Sequence, residues 1–138
     1  MRSSPKLRPV LLIDDNREDL FLTKRLLARA GVKHPIVTMD DGEQAIVHLG
    51  ASTLAGAPAI LPCCIFCDVK MPKVNGFAVL KWAREQAGLR KTPFAILTGG
   101  DMPEDREKAL ALGADYFLVK FPKPEVLKRI IDLSCERE

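Results

Sequence analysis

Five positions in this chain carry side chains able to do chemistry together: the pair Asp14–Asp15, the single Asp68, Thr98 and Lys120. Each follows a short apolar run: Val10–Ile13, Cys63–Cys67, Phe94–Leu97 and Tyr116–Val119. Three carboxylates brought together repel, so either their pKa values rise or a cation sits among them. A hard divalent cation such as Mg²⁺ takes oxygen ligands and commonly works with one or two carboxylates and a phosphate. Lys120 offers a mobile ammonium and Thr98 a hydroxyl donor, both suited to phosphoryl oxygens. A carboxylate beside Mg²⁺ can itself act as nucleophile and form an aspartyl-phosphate. Taken singly, Asp14–Asp15 reads as a solvated helix cap, Thr98 as a turn residue and Lys120 as a surface lysine. The joint placement at successive run ends is what argues for a site.

The elements that must position these residues alternate between apolar runs and helix-period segments, five times over. After Val10–Ile13, Asn16 caps a helix expected over Arg17–Ala30, with Asp19 in its first turn and Gly31 just beyond. Leu20, Leu22, Leu26, Leu27 and Ala30 are read as its apolar stripe, with Phe21 standing off it. A strand Ile36–Met39 and a turn Asp40–Gly42 lead to a short helix near Glu43–Leu49, and Gly50–Pro62 reads as a loop. Strand Cys63–Cys67 is followed by a loop Val69–Val74 and a helix capped by Asn75 and running to about Ala87. Strand Phe94–Leu97 precedes a helix over Pro103–Leu112, and strand Tyr116–Val119 precedes a last helix from Pro124 to near Cys135. Strands apolar throughout are buried on both faces, and helical crossovers make the sheet parallel. The expected fold is a doubly wound α/β domain, whose ligands bind at the carboxyl ends of the strands where strand order reverses.

Composition narrows the function classes. The 138 residues are 47% hydrophobic and 28% charged, which fits one compact domain rather than a disordered chain. A single domain over 1–138, with its core at about 9–135 and no output domain, is expected. The 21 basic and 18 acidic residues are interspersed, so no nucleic-acid partner is expected. The apolar run after the basic Met1–Pro9 is too short for a signal peptide, and Gln44–Cys67 is broken by Gly50, Gly56, Pro58 and Pro62, so no membrane span is expected. A cytoplasmic protein follows. Cys64 and Cys67 have the spacing of a metal pair but point to opposite faces of a strand. The four cysteines are therefore read as reduced core residues. His34 and His48 are read as ordinary surface or loop residues, and Trp82 as a packing residue.

From about Pro9 to Leu133 the chain resembles the receiver domain of two-component response regulators. The residues that carry the resemblance are Asp14–Asp15, the block Asp68-Val69-Lys70-Met71-Pro72-Lys73-Val74-Asn75-Gly76, Leu97-Thr98-Gly99, and Gly113 through Lys120. The resemblance implies a flavodoxin-like, five-stranded parallel sheet of order 2-1-3-4-5. It implies that Asp68 accepts a phosphoryl group from a sensor histidine kinase or phosphotransfer protein. It further implies that Asp15, Asp68 and the backbone carbonyl of Lys70 bind Mg²⁺, with Asp14 acting through water. Thr98 would bond a phosphoryl oxygen, Lys120 would pair with the phosphoryl group, and Phe117 would be the aromatic switch that turns inward as Thr98 moves.

Leu20–Thr23, Asp41–Ala45 and Lys70–Phe77 resemble the stand-alone regulators that partner phytochrome-type kinases, which implies such a kinase as partner. Phe21, Phe121 and Pro122 are candidate partner-surface residues, and a homodimer is left open. Two departures from the family pattern stand out. Receivers usually carry Lys-Pro with a cis peptide at strand five, whereas this chain has Lys120-Phe121-Pro122. A cis bond without proline costs about 3 kcal/mol, so either the chain accepts it or the loop takes another path. Gly100 offers no side chain near the phosphoryl group, and an altered phosphoryl lifetime is expected. A Mg²⁺-dependent phosphatase with an aspartyl-phosphate intermediate commonly needs a second carboxylate two residues after the nucleophile. Lys70 stands there, so a phospho-acceptor with at most slow autodephosphorylation is expected rather than an enzyme. The alternative is a passive binding module with a receiver fold. A flavin-binding relative is set aside, because Asp14-Asp15-Asn16 would repel the cofactor's phosphate.

Overall fold

The computed structural model describes residues 7–54 and 61–135. Five strands alternate with five helices: β1 Val10–Ile13, α1 Arg17–Arg29, β2 Ile36–Met39, α2 Gly42–Leu54, β3 Cys64–Cys67, α3 Gly76–Glu85, β4 Phe94–Thr98, α4 Pro103–Ala111, β5 Tyr116–Val119 and α5 Pro124–Cys135. All pairings are parallel and the sheet order is β2-β1-β3-β4-β5, as the resemblance implies. Strand order reverses between β1 and β3. The register Ile13↔Cys67 sets the two strand ends side by side, so the residues that follow them share one crevice.

The pleat divides the core into two layers. Leu11, Ile13, Ile65, Cys67, Phe94 and Ile96 face α2, α3 and α4, where they meet Leu49, Leu80 and Ala109. Val10, Leu12, Cys64, Phe66 and Ala95 face α1 and α5, meeting Leu20, Leu27, Leu127 and Ile131. Burial on both faces is why β1, β3 and β4 read as unbroken apolar runs. Each fully buried side chain of this size stabilises the fold by roughly 1.5–3 kcal/mol.

Local chemistry sets the helix starts that face the crevice. Asn16 accepts a hydrogen bond from the Asp19 amide at 3.1 Å, and Asn75 accepts one from Ala78 at 2.9 Å. Asp41 takes the Glu43 and Gln44 amides at 2.7 and 3.1 Å, which starts α2. No helix among the described residues is long and apolar enough to cross a membrane.

Three expectations are corrected. Helix α2 does not stop at Leu49 but runs through Gly50 to Leu54. A Cβ on Gly50 would lie at ordinary contact distance, 3.6 Å, from the Trp82 ring, so α2 packs closely on α3 at this point and the glycine does not break the helix. Residues 55–60 of the expected loop lie outside the described residues. On α1 the buried face is Leu20, Thr23 and Leu27, and Leu22 is exposed. Two residues along a helix is a rotation of about 200°, which carries Leu22 to the far side from Leu20.

The third correction concerns the cysteines. Cys64 and Cys67 are free and buried on opposite faces, as expected, but Cys63 and Cys135 form a disulfide. The start of β3 and the end of α5 meet at the same edge of the domain, although 72 residues separate them in sequence. Burial pushes the Cys64 thiol up to about 12 and the Cys67 thiol well above its ordinary value. Iodoacetamide is therefore expected to add nothing to the native protein. Unfolding without reductant should yield two adducts, and unfolding with reductant four, as counted by intact mass. Four adducts without reductant would show that the disulfide does not form.

Candidate functional site

Strands β1 and β3 end in the switch-point crevice, and their next residues are Asp14 and Asp68. Asp14 N–H donates to Met39 O at 3.1 Å and Asp68 N–H to Ile13 O at 2.9 Å, so sheet hydrogen bonding itself carries both residues to the edge. Asp14, Asp15 and Asp68 each present a carboxylate oxygen, and all three lie within 4.8 Å of one another. Asp14 and Asp68 are buried and Asp15 is exposed. The Asp14 Oδ1 accepts the Asn16 amide at 2.9 Å, and the Asp68 Oδ1 accepts the Val69 amide at 2.7 Å. These bonds fix both carboxylates before any ligand arrives.

Lys120 closes the cluster. Its Nζ lies 2.6 Å from Asp14 Oδ2, 2.9 Å from Asp19 Oδ2 and 3.0 Å from Asp68 Oδ2, and its side chain is 6% exposed. Burial alone would push its pKa down, but hydrogen bonds to Asp14, Asp19 and Asp68 outweigh it, and the ammonium is held above lysine's ordinary range. Burial pushes Asp14 up, against the lowering effect of Lys120 and the Asn16 amide. Of the two paths open to the chain after β5, it takes the first: the Lys120–Phe121 peptide is cis.

Thr98 ends β4, is buried, and lends its carbonyl to the Lys120 amide at 2.8 Å. That bond ties the ends of β4 and β5 together. Phe117 pairs with Ile96 in the sheet and is buried, with the Arg106 guanidinium 4.8 Å over its ring. Gly100 is exposed and has open space where a Cβ would be. Lys70 is exposed on the loop two residues beyond Asp68.

The expected partner-surface residues do not form one patch. Phe21 is 59% exposed, stacks with Arg25 at 5.7 Å, and borders a cleft with Thr38, Asp40 and Gln44. Phe121 is 43% exposed and borders a groove of about 270 Å³ with Leu22, Arg25, Leu26 and Arg29, while Pro122 is half-buried. Phe21 lies on α1 itself and Phe121 on the loop after β5, and Arg25 touches both neighbourhoods.

One site residue was missed. Asp19 appeared only as an acid in the first turn of α1, where it complements the helix dipole. The signal was its spacing: it stands one turn past the Asn16 cap, so its carboxylate returns over the crevice.

Three acids, a lysine and a threonine thus stand at successive strand ends of a doubly wound domain, at the edge where such folds bind their ligands. The family model described as the response regulator receiver domain matches residues 10–132, and the chain belongs to that family. Among curated relatives it is 31% identical to the two-component response regulator ARR15 of Arabidopsis thaliana, over 95% of this chain and 64% of that relative. The chain thus spans less than two-thirds of that protein's length. Among solved structures it is similar to the bacteriophytochrome response regulator AtBRR, with 30% identity, a TM-score of 0.80 and coverage of 96% of this chain and 94% of that one. The bacteriophytochrome response regulator RtBRR gives 32% identity, a TM-score of 0.77 and coverage of 91% and 76%.

Proposed function

We propose that this domain accepts a phosphoryl group on Asp68 and signals through a changed partner surface. The observation that carries the reading is the seating of Asp68, with Oδ1 on the Val69 amide and Oδ2 on the Lys120 ammonium. In the transfer, an Asp68 carboxylate oxygen forms the new P–O bond while the donor's P–N bond breaks. The donor imidazole leaves with the electron pair and takes a proton from solvent. Lys120 neutralises charge on the phosphoryl oxygens, and the Thr98 hydroxyl donates a hydrogen bond to one of them.

The donor set fits Mg²⁺, because it is made of hard carboxylate oxygens gathered in a polar crevice. Asp15, Asp68 and the Lys70 carbonyl would hold the ion, with Asp14 acting through water. When bound it supplies charge neutralisation for the incoming phosphate. Lys70 leaves no acid two residues beyond Asp68 to activate water, which supports a phospho-acceptor over an enzyme that turns over. Thr98 and Phe117 lie on neighbouring strands β4 and β5, with Phe117 opposite Ile96, two residues before Thr98, and their movement would carry the change to α4 and β5.

Incubation with Mg²⁺ and a small phosphodonor should give a phosphoryl adduct by intact mass on wild type and none on Asp68→Asn. Chelation of Mg²⁺ should abolish the adduct. No adduct on wild type, under conditions that label another receiver, would leave a passive module as the reading. We further propose a sensor histidine kinase of phytochrome type as donor, supported by the likeness to AtBRR and RtBRR, with a phosphotransfer protein as the other candidate class. Such a kinase should label the chain faster than unrelated kinases do.

A further inference from the structure

The fold assembles a second cluster at the opposite edge of the sheet. His34 lies on the α1–β2 connection, Cys63 immediately before β3 and Cys135 at the end of α5. One ligand atom from each lies within 4.8 Å of the others. Sequence alone left His34 as a loop residue, and the sheet brings it to Cys63. We propose that His34, Cys63 and Cys135 form a zinc site in the reduced protein, so that one staple exists in two states: a disulfide or a metal-bridged dithiolate.

The geometry fits. Tetrahedral zinc with Zn–S of about 2.3 Å and Zn–N of about 2.0–2.1 Å places sulfur and nitrogen about 3.6 Å apart. Cys63 Sγ stands 3.7 Å from His34 Nδ1. Two thiolates and an imidazole are the ligands that zinc prefers, and they leave a fourth position for water. Two thiolates and one Zn²⁺ sum to no net charge, so the half-buried site holds no uncompensated ion. Arg8, Arg90 and Lys91 border a cavity of about 440 Å³ that also reaches Cys63, and this basic wall favours thiolates. The Nδ1 atom lies 2.8 Å from the Arg8 carbonyl, so binding replaces that hydrogen bond and leaves the ring proton on Nε2.

The conversion balances with a dithiol reductant. Its two thiols become a disulfide, the Cys63–Cys135 bond opens, and both cysteines become thiols. Zinc then binds the two thiolates and releases two protons. His34, Cys63 and Cys135 join three elements that the disulfide links only in part. The metal form therefore holds the α1–β2 connection as well as β3 and α5.

The test uses Co²⁺ as a spectroscopic stand-in for zinc, read by its thiolate charge-transfer and tetrahedral visible bands. Reduced wild type is expected to show these bands and saturate at one equivalent, and Zn²⁺ should displace the Co²⁺. Oxidised wild type should show none, a comparison that needs no mutation. Cys135→Ser should lose the charge-transfer intensity, and His34→Gln should weaken binding more than the roughly 10-fold cost of losing an outer-shell partner. Asp68→Asn should show the same thiolate charge-transfer bands as wild type, whatever it loses at the acidic crevice, which separates the two sites. A folded, reduced wild type without the bands overturns the proposal. So do bands of equal strength in the oxidised protein or in Cys135→Ser, and so does loss of the circular-dichroism signal on reduction alone.

Discussion

Lys120→Met is expected to lower the melting temperature of the metal-free domain by roughly 12 °C, and saturating Mg²⁺ to recover most of that loss. The lysine is the counter-charge for Asp14, Asp19 and Asp68, with all three contacts at 2.6–3.0 Å. Removing one partner from a buried charge cluster costs about 3 kcal/mol, the low end of the usual range, since protonation of a carboxylate relieves part of it. A domain of this size loses about 4 °C per kcal/mol. Burial already pushes Asp14 up, and the variant removes the Lys120 contact that holds it down. A carboxyl with a raised folded-state pKa binds protons more tightly in the native state, and acidification therefore favours folding. The gap between variant and wild type is expected to narrow as pH falls from 7 to 5. Asp19→Asn leaves the lysine two carboxylates and should cost about 1 kcal/mol. Differential scanning fluorimetry with and without Mg²⁺ reads all of this. A Lys120→Met protein as stable as wild type without Mg²⁺ would show that the carboxylates do not depend on the lysine. The same variant should label poorly at Asp68 even with Mg²⁺ present.

Much of this was legible because the central strands β1, β3 and β4 are buried on both faces and the edge strands are still mostly apolar. Val10–Ile13, Ile36–Met39 and Tyr116–Val119 are bounded in the structure as the sequence reading bounded them. Asp14, Asp68, Thr98 and Lys120 were readable as strand-end residues, since a polar residue after an apolar run marks where the strand leaves the apolar core, even where that residue is itself buried. What sequence could not supply was contact between distant segments. The Cys63–Cys135 disulfide and the Asp19–Lys120 pair, 101 residues apart, arise only when α1 and α5 pack on one face. The length of α2 was misread for the same reason: Gly50 weakens a helix locally, but packing against Trp82 overrides that preference. The cis peptide after β5 was one of two paths that local sequence left open.

Gly76→Ala is expected to cost about 3 kcal/mol of stability, near the top of the usual range for an added methyl in a packed position. Gly76 is buried at the start of α3, and its amide donates to Val69 O at 2.9 Å. A Cβ there would run into the Asp68 carbonyl oxygen, with the carbonyl carbon 2.9 Å and the Val69 Cα 3.1 Å away. Both neighbours are backbone, so no side chain can swing aside. Its φ is not positive, so close approach alone demands glycine here. The relaxation must push α3 away from the Asp68–Val69 segment or push that segment toward the crevice. Either movement disturbs the Val69 amide that seats Asp68 Oδ1. Labelling at Asp68 should therefore fall further than the loss of folded protein explains, at a temperature where the variant is still native. Gly99→Ala and Gly100→Ala supply the contrast, because a Cβ at either meets open space and should change stability by less than about 0.5 kcal/mol. A Gly76→Ala melting temperature within about 2 °C of wild type would mean, at the usual conversion, a cost below 1 kcal/mol. Helix α3 would then not be what anchors the backbone of Asp68.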